Sequence, residues 1–258
     1  MRVFSLMIVH SAEAYLLAAM PQSSSTAAME SLGRLSCRNA ISPPDSEKAC
    51  SRCKPQRRPG PNSWQSPFQP PPDCRTDPVW GQLERQHSHV CQLPDILLQR
   101  YASDNTTIYK DHVLPTPRSV AALRAARLPV LVMLREPAGS LHGWCEKKRQ
   151  ERRQVDVREA HERLVGLEAF DAGWREAAAR HPGRFEIVTH EVLQGAGRGF
   201  ALTAALQRVW PQLRTCATFQ DSDARLLNAS TPFCSELVGT ARQCTSKVRG
   251  EKLGCGEI

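Results

Sequence analysis

The chain has 258 residues, with 34 basic and 26 acidic side chains, a formal net charge of +8 and 41% hydrophobic residues. That is enough apolar material for a packed core in one or two domains. No apolar run approaches the roughly 18 residues that would span a bilayer, which excludes an integral multi-span protein.

Along the chain, Val3–Val9 is apolar, but His10 and Glu13 interrupt its continuation, leaving at most a weak signal or anchor fragment. Of the 19 prolines, 11 lie at or before Pro78, together with the run Ser23–Ser25 and the basic, proline-rich stretch Lys54–Pro61. Such a segment buries too little apolar surface to offset chain entropy. Residues 1–78 are therefore expected to be a disordered leader, and residues 79–258 a single folded domain. Cys50 and Cys53 form a lone C-x-x-C pair that Cys37 and Cys74 do not complete at any zinc-module spacing, so no metal is expected. His87, His89 and Cys91 read as a solvated segment. Two N-x-S/T sequons, at Asn105 and Asn228, are compatible with a secretory route. Cys234 and Cys244 enclose nine residues, a loop that a disulfide can close in an oxidising compartment.

From residue 116 onward, helix and strand alternate. Thr116 followed by Pro117 reads as an N-cap and first helical residue, and the alanines at 121, 122, 125 and 126 support a helix of about ten residues ending before Pro129. Pro129–Leu134 is a continuous apolar run closed by Arg135-Glu136-Pro137, the pattern of a strand buried on both faces of a parallel sheet. Helices are expected over Ser140–Arg153 and Val157–Arg180, the second with Leu164, Leu167 and Phe170 on one face. A strand is expected at Arg184–Thr189, then a helix over Gly199–Val209 that stops before Pro211. This order predicts an α/β domain with a parallel sheet flanked by helices.

In such folds chemistry gathers where strands end at their carboxyl side and turn into helices whose amides favour anions. Arg135 stands at that point, and its guanidinium can grip a phosphate with two parallel hydrogen bonds; Ser140 can add a hydroxyl. The structural alternative is an arginine that caps the sheet edge or pairs with Glu136.

Leu131–Ala138 (LVMLREPA) resembles the strand-and-turn motif of the sulfotransferase superfamily. Tyr109-Lys110 with Leu114-Pro115 is similar to that family's lysine-containing segment, and Phe185–Leu193 to its later strand and Glu-x-Leu turn. Asn228–Cys234 and Cys244–Gly250 resemble the carboxyl-terminal cystine loop of Golgi heparan sulfate-type sulfotransferases. The resemblance covers Ile108 to Gly250. It implies a P-loop-like sulfotransferase fold with 3'-phosphoadenylyl sulfate as sulfuryl donor. The acceptor would be a carbohydrate hydroxyl or amine, on an anionic glycan or another alcohol or amine, and the location the Golgi lumen or secretory pathway. Carried over by position, it gives Arg135 the 3'-phosphate, makes Lys247 and Arg249 cationic contacts from the terminal loop, and pairs Cys234 with Cys244. Lys110 then belongs to the catalytic side, near the sulfuryl group or acceptor.

Three departures accompany it. Gly143 stands where the family has a serine that shares the 3'-phosphate, with Ser140 as a substitute from another helical position, and Glu251 stands near a usual arginine. The Lys-x-Gly-Thr type of strand-loop-helix that cradles the 5'-phosphosulfate is not recognised, so the domain is expected to be incomplete on its amino-terminal side, as in a truncated or misassembled chain. Glu84, His87 and His89 are the nearest candidates for a base. The basic run Lys147, Lys148, Arg149, Arg152 and Arg153 reads as a solvated helix face or as a rim attracting an anionic glycan. The alternative of another class is a non-catalytic basic binding protein, including a nucleic-acid binder. Only 6% of residues are aromatic, however, and no recognised nucleic-acid motif is present.

Overall fold

The structure, a computed structural model, describes residues 15–21, 25–36, 38–41, 90–91, 95–104, 106–194, 198–211, 213 and 232–248. Its strands are β1 (Tyr15–Ala19), β2 (Asn39–Ile41), β3 (Val90–Cys91), β4 (Thr107–Val113), β5 (Val130–Leu134) and β6 (Phe185–Thr189). They form a parallel sheet in the order β2-β4-β1-β5-β6, with β3 also pairing β4. The helices are α1 (Ser25–Ser36), α2 (Asp95–Ser103), α3 (Pro117–Ala125), α4 (Pro137–Gln150), α5 (Val157–Arg180), α6 (His190–Gln194), α7 (Arg198–Val209) and α8 (Pro232–Val248).

The expected α/β architecture is present, and several elements match closely. Thr116 caps α3 by accepting the Ser119 N–H at 3.1 Å, with Pro117 in the first turn. All five residues of β5 are buried, as its unbroken apolar run requires. Helix α5 spans Val157–Arg180, with Leu164, Leu167 and Phe170 in the core.

The leader expectation is corrected for residues 15–41. β1, within the stretch expected to be disordered, is the centre of the sheet: Leu16 lies opposite both Tyr109 of β4 and Val130 of β5, and every residue of the strand is buried. The amino-terminal side thus supplies the central strand that the sequence pattern does not announce.

Side-chain alternation along the strands builds two cores. Leu16, Ala18, Tyr109, Val113, Val130, Val132 and Leu134 face α3, α4, α5 and α8; Tyr15, Leu17, Ala19, Ile108, Leu131 and Met133 face α1 and α7. Burying a Leu or Phe side chain stabilises by about 1.5–3 kcal/mol, so these two layers dominate the fold's energetics. Two buried indoles also tie helices to strands, Trp174 Nε1 donating to the Val113 carbonyl and Trp210 Nε1 to the Pro129 carbonyl, each at 3.2 Å.

Helix α8 occupies most of what was expected to be a cystine loop. Cys234, Leu237, Val238 and Ala241, spaced i, i+3, i+4, i+7, are its buried stripe. The expected Cys234–Cys244 pairing is not formed; Cys234 is bonded to Cys145 of α4, with Cα atoms 5.8 Å apart. The two ends of that bond come from packed helices, and the bridge pins α8 onto the α4–α5 layer. No helix among the described residues is long and apolar enough to cross a membrane.

Candidate functional site

The chain leaves β1 into α1 on one face of the sheet and leaves β5 into α4 on the other. Adjacent parallel strands whose connections diverge in this way open a crevice at their carboxyl ends, the usual ligand position in open α/β sheets. The connection from β1 to α1 runs from Met20 to residue 24, with 22–24 outside the described residues, and its start is held against β5 by a 2.9 Å bond from Met20 N–H to the Met133 carbonyl. Strand β1 and helix α1 supply a central strand and a following helix on the amino-terminal side, where the resemblance was expected to be incomplete.

Arg135 directly follows β5 on the other wall of the crevice. Its side chain folds over the first turn of α4, so that a Cβ added at Gly139 would meet Arg135 Nε at 3.0 Å. Burial pulls the guanidinium below its ordinary pKa, while Glu191 and Glu136 pull the other way. Glu191 of α6 also accepts the Glu136 N–H at 2.9 Å, and Arg242 of α8 bonds the Glu136 carboxylate. Two arginines and two glutamates therefore alternate around the start of α4. Glu136 makes no side-chain cap bond to that helix; Pro137 has no N–H and the Ser140 N–H bonds the Glu136 carbonyl at 3.0 Å, so the first-turn amides that could meet an anion are those of Ala138 and Gly139.

Ser140 is placed differently from its expected role. It is fully buried and its hydroxyl donates to Met20 Sδ at 3.2 Å, so it braces the exit of β1 beneath the crevice instead of offering a phosphate contact. Lys110 lies within β4 opposite Leu17, three residues before the strand ends, and is half-buried; burial lowers its pKa against the opposing pull of Asp111. Lys247 lies in the last turn of α8 with its side chain outside the described residues, and Arg249, Cys244, Glu84, His87 and His89 have no described side chain.

A residue that sequence reasoning passed over completes the crevice. His112, the penultimate residue of β4, is buried, and its Nδ1 lies 2.7 Å from the carbonyl oxygen of Ala19, the last residue of β1. A carbonyl only accepts, so Nδ1 carries the proton in this contact. The available signal was a histidine closing a strand two residues after Lys110.

Beside it, Asp111 is fully enclosed. Burial raises its pKa to about 6, although hydrogen bonds from Tyr101 and the His112 amide, and the charge of Lys110, act to lower it. Because the folded-state value lies above the ordinary 3.8, the folded protein holds this proton longer than the unfolded chain, and that advantage is lost as pH rises through about 6. Two units correspond to about 3 kcal/mol. Asp111→Asn, neutral throughout, should gain about that much on the parent between about pH 4 and 7 and keep a constant offset above it. Urea unfolding across this range checks it; parallel stability curves would contradict it.

The basic run sits elsewhere. It falls at the carboxyl end of α4 and just beyond it, about 20 Å along a 14-residue helix from Arg135, at the opposite edge of the sheet. Lys147 and Arg153 pair with Glu151, Lys148 with Glu159 and Arg149 with Glu146. A cavity of about 520 Å3, lined by Arg149, Arg153, Gln154, Val155 and Asp156, opens there. The run is thus a partly neutralised helix terminus, set apart from Arg135 by the length of α4. Among the described residues no group of three or more His, Cys, Asp or Glu side chains converges as metal ligands.

No protein-family model matches the sequence, and no curated protein matches it. Among solved structures, the chain is similar to the crystal structure of a sulfotransferase from Alicyclobacillus acidocaldarius. The TM-score is 0.51 at 12% identity, over 92% of this chain and 94% of that one. The fold is sulfotransferase-like. With 92% of the chain covered, the likeness reaches beyond the Ile108–Gly250 span of the motif resemblance.

Proposed function

We propose that the chain is a sulfotransferase that binds 3'-phosphoadenylyl sulfate in the crevice between β1 and β5 and transfers its sulfuryl group to a carbohydrate hydroxyl or amine. The observation that carries this reading is that the carboxyl end of β1, Arg135 at the start of α4, and His112 near the end of β4 lie at the same end of neighbouring parallel strands. Arg135 takes the 3'-phosphate as a planar, two-pronged donor, and the α4 amides share its charge. Lys110, Lys247 and Arg249 are the further cations proposed for the donor.

In the transfer, the acceptor oxygen or nitrogen attacks sulfur in line and forms the new bond as its proton passes to Nε2 of His112. The bond between sulfur and the bridging phosphate oxygen breaks, and its electron pair leaves on adenosine 3',5'-bisphosphate. The Cys145–Cys234 disulfide supports a working location in an oxidising compartment, the Golgi lumen or secretory pathway.

His112→Ala should lower kcat by about 10²–10⁴-fold, the usual worth of a positioned base, with donor affinity unchanged. Release of adenosine 3',5'-bisphosphate in the presence of a heparan-type glycan, beside calorimetric donor binding, measures both. A variant that turns over at the parent rate would remove His112 from the mechanism.

A further inference from the structure

The end of β4 carries a second buried ionisable group that the proposed transfer does not use. Asp111 is 5% exposed and shares the core face of Tyr109 and Val113, where a carboxylate is unfavourable unless hydrogen-bonded. It has two such bonds. Oδ2 accepts from the Tyr101 hydroxyl of α2 at 2.7 Å, and Oδ1 accepts the backbone N–H of His112 at 2.8 Å. Tyr101 is itself fixed: it is fully buried, its ring lies 4.8 Å from that of Tyr109, and the Tyr109 hydroxyl donates to Asp104 at 2.6 Å.

The position of this network on the strand gives it meaning. The outer edge of β4 is paired by β2 as far as Tyr109, opposite Ile41, and by β3 from His112, opposite Val90. The edge changes partner across Lys110 and Asp111, immediately before the residue whose ring must be aimed. There the Asp111 carboxylate, anchored by Tyr101, takes the His112 amide.

We propose that Asp111 and Tyr101 are positioning residues for His112: together they fix its backbone so that the ring keeps Nδ1 on the Ala19 carbonyl. This rests on the reading of His112 as the proton acceptor. The two residues touch neither nucleotide nor acceptor.

The test uses the full chain labelled with ¹⁵N-histidine, His112 being assigned by comparison with His112→Gln. The parent ring should show one neutral tautomer, protonated at Nδ1. Tyr101→Phe/Asp111→Val removes both partners at once and leaves apolar groups of similar shape, a change that folded cores tolerate. In that variant the signature should collapse to an average of the two tautomers, while calorimetric affinity for adenosine 3',5'-bisphosphate stays at the parent value. Tyr101→Phe alone, which keeps the Asp111 bond to the His112 amide, should give an intermediate average and serves if the double variant does not fold. The same single tautomer in the variants as in the parent would overturn the proposal. A parent ring protonated at Nε2 would instead sink the reading of His112 on which it rests.

Discussion

Arg135→Ala should weaken binding of adenosine 3',5'-bisphosphate by about 100-fold, equivalent to about 3 kcal/mol, within the range for truncating one partner of a hydrogen-bonded charge pair. The guanidinium is partly withdrawn from water over Gly139 and held between Glu191 and Glu136, so its direction is set before ligand arrives. Removing it also leaves those two carboxylates facing the incoming phosphate, which adds repulsion to the lost contact. Arg135→Lys should recover only part of the affinity, because an ammonium keeps the charge and loses the paired donors. Titration calorimetry on the folded variants reads both, and an alanine variant that binds as the parent does would show that the 3'-phosphate lies elsewhere.

The second large effect concerns α8. The Cys145–Cys234 bond spans a sequence separation of 89, and closing a loop of that size in the unfolded chain stabilises by about 4.6 kcal/mol in the chain-entropy account. Cys145→Ala/Cys234→Ala should therefore lower the melting temperature by about 10 °C, taking roughly 2–4 °C per kcal/mol at this size. Both cysteines are completely buried, so the lost packing adds to the effect. Because Arg242 meets Glu136 from the same helix, loosening α8 should also free that pair. Thermal unfolding of the double variant tests this, and an unchanged melting temperature would refute the bridge's role.

Legibility in the sequence tracked local signal strength. Helix α5 and strand β5 were readable because their patterns are uninterrupted, and α3 because Thr116-Pro117 is a cap with a mechanism. β1 was missed for a physical reason. Its YLLAA carries no β-branched residue and favours helix on intrinsic preference, so only its place between β4 and β5 makes it a strand.

Helix α8 was legible but overridden. The spacing of Cys234, Leu237, Val238 and Ala241 is a helical stripe, yet the resemblance to a cystine loop drew Cys234 toward Cys244. Its true partner lies across a tertiary contact that no spacing encodes. At the site, the position of Arg135 directly after β5 was legible from the apolar run that ends there, and its phosphate role is what the resemblance adds. Helical phase turns the Ser140 hydroxyl down onto Met20, and His112 carries no mark in the sequence because its contact with the end of β1 is tertiary.

The most direct measurement is calorimetric titration of the full chain with adenosine 3',5'-bisphosphate and, separately, with adenosine 5'-phosphate. Saturable binding of the bisphosphate, at least about tenfold tighter than the monophosphate, is expected if Arg135 and the α4 amides read the 3'-phosphate, since tenfold is about 1.4 kcal/mol. Equal affinity for the two nucleotides, or no heat from either in a protein shown to be folded, would contradict a sulfuryl-donor site at this edge of the sheet.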